Sequence, residues 1–248
     1  MRKFAFGMLL VFGQFPVAVF GNDVHIVSTA SSGGTSRVYG TAAGGGRLKI
    51  EGHASHGGAT ALSGHSEGDS RLLMQGDSRG RGAVAESTAR VVGRSGGVVD
   101  ARSINQAYHG VSRNALSAEA SQGGVAVIDQ VSSVRRGHGE NVIEGNAAGG
   151  TVDMIGTIAV DRGIGQAKLY GESRGSRAST MQELLLDVYR GEASGTMKAE
   201  TVAGEGFAHS ESLGVVRGGV NGSVYSESSQ RTDGRRARAV SESHFRSR

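Results

Sequence analysis

Glycine returns at a regular interval along most of this chain, and that interval limits what the chain can fold into. The steps between successive glycines run from about 11 to 16 residues, and several positions are doublets such as Gly57-Gly58. Glycine adopts backbone angles that other residues avoid, so recurring glycines mark turns. About eight or nine residues are left between turns, which suits short β-strands. The series is Gly33, Gly45, Gly57, Gly68, Gly80, Gly96, Gly110, Gly123, Gly137, Gly149, Gly163, Gly175, Gly191, Gly204, Gly218 and Gly234.

Small and large residues alternate between these glycines. In residues 83–94, one parity holds mainly Ala, Ser and Gly, whereas the other holds Val, Glu, Thr and Arg. The same division recurs in residues 168–175 and 236–248. A period of two is typical of a β-strand, with one face of small residues and one of large, mostly charged residues.

These patterns predict an all-β fold of many short, glycine-punctuated strands with a period of about 11–16 residues. A β-solenoid, an antiparallel meander and stacked sheets all fit, because small faces either let two sheets approach closely or line a narrow solenoid interior. Residues 180–191 leave two alternatives open. Thr180 and Glu183 have the spacing of a capping box that begins a helix, but the three leucines that follow equally suit a buried strand.

The N-terminus predicts a secreted, extracellular protein. Arg2 and Lys3 precede an apolar run that Pro16 interrupts and that is shorter than the ~20 apolar residues of a membrane span. We therefore expect a signal peptide over residues 1–21. A flexible segment is predicted for residues 22–36, followed by one repetitive glycine-rich β array over residues 37–248.

Composition restricts the function further. Hydrophobic residues make up 37% of the chain and there are 42 glycines in 248 residues, so a thick globular core is not expected. The chain has no cysteine, so a secreted form has no disulfides to stabilise it. Positive and negative residues are interspersed at a net charge of +4, which disfavours nucleic-acid partners. Neither a membrane partner nor a cofactor is predicted.

Two patterns resemble chemical sites without meeting their requirements. Ser66 lies in a Gly-x-Ser-x-Gly motif, but no helix pattern of adequate length follows it, and His244 and Asp233 are only nominal partners. His53, His56 and His65 lie near acidic residues, yet they lack the helical spacing of zinc sites. No catalytic or metal site is predicted, and we expect a protein that is not an enzyme.

The C-terminal region holds the remaining candidates. Arg235, Arg236 and Arg238 form a basic cluster that fits a processing site or a site for anionic glycans and other polyanions. Asn221 begins an N-glycosylation sequon, and the Asn-Gly pair also favours a hairpin turn, which is the preferred interpretation.

The sequence therefore predicts a structural protein that self-associates through its small-residue sheet faces in an extracellular fibre or matrix of the silk, eggshell, cuticle or shell type. Its main partner would be further copies of itself. One alternative is a secreted antibacterial or polyanion-binding protein, because the composition is similar to that of glycine-rich antibacterial proteins. A second alternative is an ice-binding β-solenoid, although the threonines are isolated and do not form Thr-x-Thr ladders.

Overall fold

The computed structural model of the chain is a parallel β-solenoid. It describes residues 8–11, 18–20, 23–43, 45–175, 177–202, 208–233 and 237–247, with side chains described for 25–42, 45–175, 177–202, Arg231, Asp233 and Arg238. Among these residues no helix is long and apolar enough to cross a membrane. The strands are β1 (Met8–Val11), β2 (Ala18–Phe20), β3 (Asp23–Ser31), β4 (Thr35–Ala43), β5 (Arg47–Ser55), β6 (Ala59–Glu67), β7 (Ser70–Arg79), β8 (Val84–Arg94), β9 (Val98–Tyr108), β10 (Val111–Ser121), β11 (Val125–Arg135), β12 (His138–Ala148), β13 (Thr151–Arg174), β14 (Ala178–Val202), β15 (Ala208–Asp233) and β16 (Ala237–Ser247).

Successive strands alternate between two faces of the solenoid. Face 1 contains the odd-numbered strands to β11, the first parts of β13, β14 and β15, and β16; face 2 contains the even-numbered strands to β12 and the second parts of β13, β14 and β15. Each described strand pairs in parallel with a strand one coil away. The antiparallel meander is therefore not supported, and the solenoid alternative holds.

Two corners per coil join the faces, and those recurring glycines that the structure describes lie at or beside these corners. At the corner between β5 and β6, His56 and Gly57 have φ angles of 49° and 79°, and the amide of Gly58 donates to the carbonyl of Ser55 at 2.9 Å. Positive φ at both central residues is typical of a type I′ turn, which glycine adopts without steric cost. The glycine interval is thus half a coil.

The coils lengthen along the chain. Asp23 pairs with Arg47, a coil of 24 residues, whereas Val111 pairs with His138 27 residues on. Strands grow from nine residues in β5 and β6 to 11 in β8 to β12. A nine-residue strand such as β5 buries four positions, whereas the 11-residue β10 buries five. We call β3 to β7 the narrow coils and β8 to β14 the wide coils.

The narrow coils fill their interior with leucine opposite glycine. A Cβ atom added to Gly40 would lie 2.7 Å from Leu48 Cδ2, and one added to Gly64 would lie 2.7 Å from Leu72 Cδ2. Both leucines are at most 2% exposed. The small face predicted from the alternation is therefore the inner face, and its glycines make room for leucines of the facing strand.

The wide coils contain similar contacts, as between Gly195 and Leu184, and also bury a polar network. Asn114 on β10 donates to Oδ1 of Asn141 on β12 at 2.9 Å and accepts from Ser103 Oγ at 2.8 Å. Ser132 Oγ donates to Asn141 Oδ1 at 2.6 Å, and Asn105 Nδ2 donates to the carbonyl of Arg113 at 3.0 Å. All of these side chains are at most 1% exposed. Because buried polar groups are costly when unpaired, mutual hydrogen bonding makes this interior tolerable.

Local predictions differ from the structure in two segments. Residues 22–36, predicted to be flexible, contain β3 and the start of β4, and Ile26 and Ala30 are buried there. Residues 180–191 belong to strand β14, so the helix alternative is wrong. Leu184 and Leu186 are two residues apart and both point into the interior, as alternate residues of a strand do. The predicted signal peptide stays a prediction; of its residues, β1 and β2 pair with β3 and β4.

Candidate functional site

Three of the four Gly-x-Ser-x-Gly motifs, at residues 64–68, 76–80 and 171–175, have a serine that points into the solenoid. Ser95 of the fourth motif, at residues 93–97, is exposed at a corner. Ser66 is fully buried, with its Oγ 2.6 Å from Ser70 Oγ, and Ser78 donates to the carbonyl of Gln106 at 3.2 Å. Ser173 is likewise buried. On a strand, positions i, i+2 and i+4 share a face, so these three motifs repeat inward-facing small residues rather than presenting a nucleophile.

The nominal partners of Ser66 are distant from it. Ser66 lies on β6, His244 lies on β16, and Asp233 ends β15. β6 shares a coil with β5, which lies on face 1 like β16. Along the face 1 ladder, β5 and β16 are seven strand steps apart, or about 34 Å at ~4.8 Å per step. The fold does not bring these three residues together.

The three histidines of the metal hypothesis lie on different parts of the surface. His53 is on face 1 with its Nδ1 3.9 Å from Asp77 Oδ2, and His65 is on face 2 with its Nε2 3.9 Å from Glu67 Oε2. His56 is at the corner between the faces. Among the residues that the structure describes, no group of three or more histidines and acidic residues is arranged to hold a metal ion.

The C-terminal candidates are only partly described. Arg238 lies on β16 and is exposed, whereas Arg235 and Arg236 lie outside the described residues. Asn221 lies within β15 and aligns with Arg190 of β14 at a corner of the solenoid. The predicted hairpin turn at this position is wrong, because β15 continues through it in the same parallel ladder.

The small-residue face, to which the sequence analysis assigns self-association, is enclosed within one chain. Inward residues such as Ala85, Ser87 and Ala89 are at most 8% exposed because face 2 packs on face 1. In the described coils, these inward residues are therefore not accessible to another copy of the chain. The predicted self-association would therefore need other surfaces, and the ends of the ladder are the first candidate. Among the described strands, β16 pairs only with β15.

The outer faces carry charged residues that pair between neighbouring strands. Arg90 Nη2 lies 2.8 Å from Glu119 Oε1, Arg113 Nη1 lies 2.8 Å from Glu86 Oε1, and the Arg102 and Asp129 side chains approach to 3.0 Å. The charged residues that alternate with small residues along the sequence are thus the ones that point outward. Exposed pairs of this kind contribute only tenths of a kcal/mol each, up to about 1 kcal/mol. They give the faces hydrophilic surfaces with mixed charge.

Three outward carboxyl groups have shifted pKa values. Burial raises the pKa of Asp153, and it raises that of Asp129 despite the opposing charge of Arg102. Burial acts on Glu51 in the same direction, but the hydrogen bonds and positive charges of Lys49 and His25 outweigh it, so its pKa is lowered. Opposite shifts therefore occur in the wide and the narrow coils.

A groove of about 900 Å³ on face 1 was not predicted from the sequence. It crosses β7, β9, β11, β13 and β14 near corners of the solenoid. Tyr108 and Tyr189 line it and are 44% and 58% exposed. The guanidinium carbon of Arg135 lies 5.4 Å from the centre of the Tyr108 ring. The groove residues on successive strands are about one coil apart in the sequence. They can be recognised as one row only when the length of the coil is known.

Comparison of the chain with protein-family models, with curated proteins and with solved structures finds no match.

Proposed function

We propose that this chain is a secreted, non-enzymatic structural protein whose copies associate through open strand edges in an extracellular fibre or matrix. The observation that carries the proposal is the one-sided pairing of β16, which continues the parallel ladder but has no further strand beyond it among those described. An unpaired strand edge presents N–H and C=O groups that pair readily with another chain.

Removal of the signal peptide would create a second open edge. Before cleavage, β1 and β2 cover parts of β3 and β4. Cleavage after Gly21 removes both covering strands and leaves the first coil with unpaired backbone groups. The described ladder would then have an open edge at both ends, which is the minimum for assembly into a fibre rather than a dimer.

The test is size-exclusion chromatography with light scattering on residues 22–248 over a range of concentrations, followed by fibre diffraction. We expect concentration-dependent growth and a reflection near ~4.7 Å from the strand spacing. A chain that stays monomeric at every concentration would overturn the proposal.

Two proline variants test whether the β16 edge is used. Consecutive residues of a parallel strand direct their amides to opposite edges, so Val240→Pro and Ser241→Pro each remove a donor from a different edge. One variant should lose assembly while keeping the β-type circular dichroism of the folded chain. If both variants assemble like the unmodified chain, the edge of β16 is not the site of association.

A further inference from the structure

The groove on face 1 is built from two neighbouring rows of outward-facing residues. One row aligns Gln106, Ser133 and Ala159, and the adjacent row aligns Tyr108, Arg135 and Asp161. The short side chains of Ser133 and Ala159 leave space between larger neighbours. Because the groove crosses five strands at ~4.8 Å spacing, it is about 19 Å long and follows the solenoid axis. It therefore suits an extended, linear ligand.

The charges at the groove are balanced by ion pairs within the protein. Arg79 Nε lies 2.8 Å from Asp77 Oδ2, and Arg135 Nε lies 3.7 Å from Asp161 Oδ2. Asp187 is a third carboxylate in the lining. A lining with two arginines and three carboxylates has no excess of positive charge to attract a polyanion.

The lining offers two kinds of contact to a ligand. The arginines and Gln106 are donors, and the carboxylates and Ser133 are acceptors, so hydroxyl groups that both donate and accept are well matched. Tyr108 and Tyr189 are partly exposed, with the guanidinium carbons of Arg135 and Arg190 over their rings, 5.4 and 4.8 Å from the ring centres. The C–H face of a sugar ring can pack on the ring surface that stays exposed. The rings are three strand steps apart, about 14 Å, which is too far to hold successive stacked bases.

We propose that this groove binds a neutral, unbranched polysaccharide, of the β-1,4-linked kind that forms extended ribbons. Tyr108 and Tyr189 pack against sugar rings, while the Arg79–Asp77 and Arg135–Asp161 pairs exchange hydrogen bonds with ring hydroxyls. This role goes beyond self-association and would attach the protein to a carbohydrate scaffold.

The test is isothermal titration calorimetry of residues 22–248 with two neutral probes, cellohexaose and chitohexaose. We expect binding of at least one hexasaccharide, weakened about fivefold to tenfold by Tyr108→Ala or by Tyr189→Ala. Tyr108→Phe should retain binding, because the ring remains. Tyr39→Ala is the matched control, since Tyr39 is 40% exposed on β4 of face 2, away from the groove.

The variants alter exposed side chains, and circular dichroism verifies that each remains folded. The titration is made below the concentration at which copies associate, so it does not depend on assembly. The proposal is overturned if neither hexasaccharide binds at millimolar concentration, or if Tyr108→Ala and Tyr39→Ala have equal effects. It is also overturned if only a heparin hexasaccharide or an oligothymidylate binds through the two tyrosines.

Discussion

The narrow and the wide coils share one fold but differ in part of their interior. In the narrow coils, glycines such as Gly64 face leucines such as Leu72, and the interior is closed by interdigitation of large and small residues. The wide coils retain such contacts, but an 11-residue strand such as β10 has one more inward position than β5, and Ser103, Asn114 and Asn141 form a hydrogen-bonded network in this interior. Longer strands thus enclose more interior space. Polar side chains that form hydrogen bonds with one another fill part of it.

The two interiors should respond differently to mutation. Interdigitation depends on volume, and a flexible leucine tolerates small adjustments of its neighbours. A buried polar network depends on every partner, because one missing member leaves the others unpaired in a medium of low dielectric constant. The following predictions use this difference, from the largest expected effect to the smallest.

The largest effect is expected from Asn114→Leu in the wide coils. The substitution removes hydrogen bonds to Ser103, Ser132 and Asn141, all of them buried. We expect the free energy of unfolding to fall by about 4 kcal/mol, since each buried group left unpaired costs about 1–3 kcal/mol. Chemical denaturation measures the change. Asn146→Leu, on the exposed face of the adjacent strand, is the control and should change stability by less than about 0.5 kcal/mol.

An intermediate effect is expected from Gly64→Ala in the narrow coils. Its Cβ would lie 2.7 Å from Leu72 Cδ2, so the leucine must shift, at a cost of about 1–2 kcal/mol. Ala89 occupies the aligned position in the next coil, which shows that an alanine fits there when its neighbours differ. Shortening Leu72 to valine should relieve the crowding, with a coupling energy of about 1 kcal/mol in a double-mutant cycle. Strictly additive effects would contradict the interdigitation.

The smallest effect concerns pH and has opposite signs in the two regions. The pKa of Asp153 is raised in the folded chain, so its contribution to stability is lost as pH rises through that folded pKa. The pKa of Glu51 is lowered, so its contribution is present at neutral pH and is lost as pH falls through that pKa. Asp153→Asn should therefore raise Tm by about 1–2 °C at pH 7, and Glu51→Gln should lower it similarly. Both differences should vanish at low pH; shifts of the same sign would contradict the assignment.

The strands and corners were largely predictable from the sequence. Alternation in residues 83–94 predicted the inward small face that Ala85, Ser87 and Ala89 form, because side chains of a strand point alternately to its two sides. Residues 22–36 were predicted to be a flexible segment, and the structure has strand β3 there. The described residues assemble neither of the two patterns that resemble a chemical site: Ser66 is buried, and the histidines are on separate surfaces. The groove at Tyr108 was missed because its residues come from different coils.

Period-two alternation and recurring glycine by themselves determine that this chain forms short strands with one small face and bends at regular intervals. They do not determine whether the chain reverses or continues at each bend, since turns with positive φ also join antiparallel hairpins. Only the tertiary structure decides this. Each strand pairs with a strand one full coil away, and the direction of that pairing depends on contacts about 24 to 30 residues apart. The same long-range register decides which outward residues become neighbours, and hence where a binding surface forms.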